Sequence, residues 1–73
     1  MKAIWVDGNL CFKNFMVVKE SDTFFGVYES IMNKPIGPLI TSGPTLNAAS
    51  KKAKLLQTGY DLRKDVEYDM YNY

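Results

Sequence analysis

Asp65, Glu67 and Asp69 alternate with Val66, Tyr68 and Met70 near the end of this 73-residue chain, and Tyr71 and Tyr73 follow. Carboxylates at every second position form a row when the backbone is extended. They then share one strand face at about 6.6 Å spacing, twice the rise per residue, and face lysines or arginines as a regular set of acceptors. A surface that normally holds nucleic acid carries such cations. The tyrosines supply contact area of the kind enriched in interface cores. The plainer role for such a row is to keep a strand solvated and to discourage edge pairing.

Lys51, Lys52 and Lys54 are the second cluster, and no acid lies between Glu29 and Asp61. With Arg63 and Lys64 they could hold phosphates, each contact adding affinity and salt dependence. Their plainer role is to complement a helix dipole and keep the helix soluble. The run Thr23-Phe24-Phe25-Gly26-Val27-Tyr28 partly matches the aromatic-glycine strand of RNA-recognition motifs. Its aromatics are adjacent rather than alternating, and Asp22 stands before them, so it reads as core packing.

Catalysis finds few materials. There is no histidine, which removes Ser/His and Cys/His nucleophile pairs and any His-ligated metal. Cys11 therefore reads as a small buried hydrophobe. Asp7, Glu20, Asp22 and Glu29 are scattered near turns, with no spacing that demands a carboxylate pair. No phosphate loop, dinucleotide fingerprint or CxxC occurs. The expectation is a non-enzymatic protein with no cofactor and no metal.

The elements that position these residues form one domain over 1–73. A net charge of +1 excludes a strongly basic nucleic-acid binder and a wholly acidic DNA mimic. One cysteine cannot close an internal disulfide, and no apolar run has signal-peptide or membrane-span length, so the expected location is cytoplasmic. The initiator Met suggests a complete small product. Chains below about 80 residues rarely leave a net of more than 3–5 kcal/mol from one core, so some of the large side chains are expected to pack against a second chain.

Asp7-Gly8 predicts a first hairpin after Lys2–Val6. Leu10–Lys19 is expected to return as one strand, with Leu10, Phe12, Met16 and Val18 on one face, Cys11, Phe15 and Val17 on the other, and a bulge at Asn14. Thr23–Glu29 is a third strand. Pro35, Gly37 and Pro38 mark Ser30–Pro38 as the longest loop, followed by a short strand at Leu39–Thr41. Thr45 then caps a helix that Gly59 should stop. Leu46, Ala49, Ala53 and Leu56 form its stripe, flanked by Ala48 and Leu55, with Ser50, Lys51, Lys54 and Gln57 opposite and Lys52 snorkelling at the edge. A final strand carries the acidic row. The expected fold is α+β: a small antiparallel sheet of four to five strands with one helix on one face, in the order β-β-β-β-α-β.

A strand pattern over Lys2–Glu29, a helix over Thr45–Thr58 and an acidic-aromatic end over Asp65–Tyr73 together resemble small phage-encoded anti-CRISPR and host-takeover inhibitor proteins. That resemblance implies stoichiometric occlusion of a host protein or nucleoprotein complex, in the host bacterial cytoplasm, without catalysis. From the residues themselves, the contact set is Asp65, Glu67, Tyr68, Asp69, Tyr71 and Tyr73, the tyrosines burying area and the carboxylates steering encounter. Two alternatives stand beside it. One is a small nucleic-acid-binding domain using Lys51, Lys52, Lys54, Arg63 and Lys64. The other is a structural module that dimerises through the uncovered sheet face.

Overall fold

Asp7 and Gly8 both take positive φ, 51° and 80°, and join β1 (Ile4–Val6) to β2 (Asn9–Cys11) through the two-residue turn that a twisted hairpin favours. The computed structural model describes the backbone of residues 3–71 and the side chains through residue 62. β3 (Phe15–Ser21), β4 (Phe24–Ile31) and β5 (Lys34–Gly43) complete a five-stranded antiparallel sheet in the order β1-β2-β3-β4-β5. α1 (Leu46–Tyr71) follows and packs across β3, β4 and β5. The α+β class therefore holds. The expected order does not, because five strands precede the helix and the segment expected as a final strand belongs to α1.

Three local expectations change with it. The expected return strand is two strands, because Phe12-Lys13-Asn14 turns the chain and the Phe12 amide donates to the Phe15 carbonyl at 2.8 Å. That turn changes which residues share a face. Leu10 pairs with Val17 and Cys11 with Met16, so Leu10 joins Phe15 and Val17 on the helix side. Next, the expected loop over Ser30–Pro38 is a tight hairpin. Met32 and Asn33, at φ 53° and 65°, make a two-residue turn, and Pro35 and Pro38 lie within β5. β5 is an edge strand, where a missing N–H can face solvent instead of a partner. Gly37–Ile40 bulge out between the Ile36–Glu29 and Thr41–Val27 pairs, and the bulge brings the Leu39 side chain over Gly26 on the face away from the helix.

The third change is at Gly59. An interior glycine costs a helix about 1 kcal/mol relative to alanine, which tertiary packing readily offsets. Here the Phe15 and Tyr60 rings pack edge to face at 6.2 Å, and the Gln57 amide donates to Asp61 Oδ1 at 3.1 Å across the glycine. Each further residue then adds a hydrogen bond to an existing helix, whereas a new strand at Val66–Met70 would need a fresh partner.

The core lies between α1 and the sheet. Phe12, Phe15, Val17, Val27, Ala49 and Ala53 form it, with Ala3, Leu10, Phe25, Leu46 and Leu56 packed around them. Thr45 Oγ1 accepts from the Ala48 amide at 3.1 Å, the N-cap expected of it. A side chain at Gly43 would stand 2.8 Å from the Ala49 nitrogen, so this glycine lets the first turn of α1 lie close on the end of β5. The far sheet face is not bare. Cys11 and Met16 are fully buried there without a helix over them.

Candidate functional site

α1 presents two different sides. Leu46, Ala49, Ala53, Leu56 and Gln57 fall within one arc at 100° per residue, and this arc meets the sheet. Gln57 was expected opposite. At 1,100° from Leu46 it lies only about 20° away, and it is 1% exposed. Its Oε1 accepts from the Asn14 amide at 2.6 Å and its Nε2 donates to Asn14 Oδ1 at 2.9 Å. The Asn14 carbonyl in turn accepts from the Ser30 amide at 2.9 Å, so one side chain joins α1, the β2–β3 turn and β4. The periodicity contained this placement. The polar residue type obscured it.

The outer side of α1 carries Lys51, Lys54, Leu55, Thr58 and Leu62, all exposed. Leu55 and Leu62 are 72% and 62% exposed, high values for two leucines seven residues apart on one face. Lys51, Lys54, Leu55 and Thr58 line a shallow groove of about 360 Å³. Leu55, expected to flank the buried stripe, stands in solvent. Lys52 turns back, and its Nζ donates to the Ser42 carbonyl at 2.6 Å, tying the start of α1 to the end of β5. Of the three expected lysines, two thus share the outer face and one is committed to the fold.

The lysines were expected to complement a helix C-terminus. In a helix that runs to Tyr71 they lie in its first half instead, while Asp65, Glu67 and Asp69 lie in its last turns. There is no acid in the first turn and no base in the last, so neither end of α1 has the charge its macrodipole favours.

Asp65, Glu67, Tyr68, Asp69 and Tyr71 are helical positions, as are Arg63 and Lys64; Tyr73 lies outside the described residues. The row of carboxylates at strand spacing is therefore corrected. Positions 65 and 69 are about one helical turn apart, and position 67 is about 200° around the axis from 65.

On the far sheet face, Tyr28 Oη donates to Glu20 Oε1 at 2.5 Å, which raises the tyrosine above its ordinary value, chiefly because ionisation would remove that hydrogen bond. Burial, and then the negative charge of Asp7, raises the Cys11 thiol. Near the other end of the sheet, Trp5, Gly8, Val17, Lys19, Phe25 and Leu46 surround a depression of about 260 Å³, and Lys19 is paired with Asp22 at 3.3 Å. Among the described residues no group of three Cys, Asp or Glu side chains could hold a metal ion. No helix among them is long and apolar enough to cross a membrane. Comparison with known protein families, curated proteins and solved structures finds no match.

Proposed function

We propose that this chain is a non-enzymatic protein-binding inhibitor or modulator that occludes a basic, nucleic-acid-handling surface of a larger host complex, the mode of action of the anti-CRISPR and host-takeover inhibitors it resembles. The observation that carries this reading is the unbroken course of α1. At 1.5 Å per residue its 26 residues extend about 39 Å, and its final turns carry positions 65–71 of the acidic-aromatic segment on the same helical rod. Helix-in-groove recognition uses a rod of this kind, with aromatic anchors burying area and carboxylates fixing register against lysines and arginines. The contact residues in this reading are Asp65, Glu67, Tyr68, Asp69, Tyr71 and Tyr73.

The test is capture of a partner from bacterial lysate, with and without nuclease. A defined protein retained after nuclease treatment, and lost with Asp65→Asn, Glu67→Gln and Asp69→Asn combined, is the expected result. Nucleic acid in the eluate, with proteins lost on nuclease treatment, would instead move the function to Lys51 and Lys54 and reject the inhibitor reading.

A further inference from the structure

We propose that the outer face of α1 is a self-association surface, and that its occupant is α1 of a second copy of this chain, running antiparallel about a two-fold axis near residue 60. Three observations meet at this face. The first is exposure: Leu55 and Leu62 stand in solvent on the side opposite the sheet, so a second helix can approach without meeting the fold's own strands. Position 66, a valine, continues the same stripe eleven residues after Leu55, about 20° off it.

The second is charge. Lys51 and Asp69 are 18 residues apart, five helical turns, so the two positions share one side of the stripe. Lys54 and Asp65 are eleven residues apart and fall on that side as well. Around residue 60, Lys51 and Asp69 stand nine residues before and nine after; Lys54 and Asp65 stand six before and five after. An antiparallel two-fold sets each side of a helix against the same side of its partner. It therefore brings Lys51 to the partner's Asp69 and Lys54 to the partner's Asp65, each pair occurring twice, with Leu55 near the partner's Val66. A parallel pair would instead set lysines near lysines and acids near acids.

The third is the macrodipole. The charges along α1 are unfavourable for an isolated helix, with no base in the last turn and lysines in the first half. An antiparallel partner corrects both ends at once, because its lysines lie by the acidic end and its acids by the basic one. The face is narrow, so the association belongs with weak, reversible interfaces.

The test uses two charge variants of the full chain, each checked for native helix content by circular dichroism. Lys51→Glu with Lys54→Glu makes the stripe wholly acidic, and Asp65→Lys with Asp69→Lys makes it wholly basic. In sedimentation velocity at low salt, wild type should dimerise. Each variant alone should associate roughly 100-fold more weakly, since four attractive pairs become repulsive. An equimolar mixture should recover a 1:1 heterodimer. A monomeric wild type at about 100 µM, or a mixture no more associated than its components, overturns the proposal. Dimers formed by either variant alone as readily as by wild type would place the interface elsewhere, on the sheet or the Trp5 depression, and equally overturn it. Both proposals draw on Asp65 and Asp69, and the Lys51→Glu, Lys54→Glu variant separates them. It changes none of the residues proposed to contact a host partner, so it should lose self-association while retaining lysate capture.

Discussion

The Gln57 side chain accepts from the Asn14 amide and donates to Asn14 Oδ1 and Asp61 Oδ1, all while out of solvent. A buried donor that loses its acceptor bears most of its desolvation cost, about 1–3 kcal/mol. Gln57→Leu, though close in volume, should therefore destabilise the protein by about that amount, because the Asn14 amide is left without its acceptor. Urea unfolding followed by tryptophan fluorescence would measure it. An unchanged midpoint would mean that the Asn14 turn does not depend on the helix. The residue type at 57 suggested a solvated position, and only the tight turn beneath it explains why a glutamine is held there.

At the scale of the element, α1 passes through Gly59 without a break, and nothing lies within 4 Å of where a Cβ would stand. Alanine at this position adds no clash and removes the conformational penalty of glycine. Gly59→Ala should thus stabilise the protein by about 1 kcal/mol and raise its helical circular dichroism. If it destabilises instead, the helix bends or ends at this position and the placement of the acidic segment on the same rod is wrong. β5 shows a related balance. Its two prolines and its bulge are tolerated because an edge strand has one side free of ladder partners. The same residues in a central strand would have produced the loop that their local preferences suggest.

At the scale of the whole molecule, two titrating side chains among the described residues act in one direction on stability. Cys11 and Tyr28 are both raised, so the folded state holds these protons to higher pH than the unfolded chain does. Their contribution is complete below the ordinary thiol and phenol values and is lost as pH rises through the raised ones. Urea midpoints should consequently fall between about pH 8 and pH 11. Cys11→Ala should remove the earlier part of that decline and Tyr28→Phe the later part; midpoints flat over this range would contradict both assignments. The thiol itself should react with a disulfide reagent only as fast as the protein opens, since Cys11 is buried on the far sheet face.

By itself the amino-acid sequence determined the features that depend on near neighbours. The Asp7-Gly8 hairpin follows from two residues that accept positive φ, the start of α1 from a threonine hydroxyl within reach of its own helix, and the buried stripe from Leu46, Ala49 and Ala53 at helical spacing. The chemical character of the candidate surfaces was equally legible, as acids and tyrosines at one end of α1 and lysines towards the other. The tertiary structure decided whatever depended on a distant hydrogen-bonding partner. Pro35 and Pro38 became strand residues because β5 is an edge. Leu10 changed faces because Phe12–Asn14 turn the chain against Gln57. The alternation at Val66–Met70 gave way to helix because α1 was already running and could extend by its own hydrogen bonds, while a strand would have required a neighbour to complete its ladder.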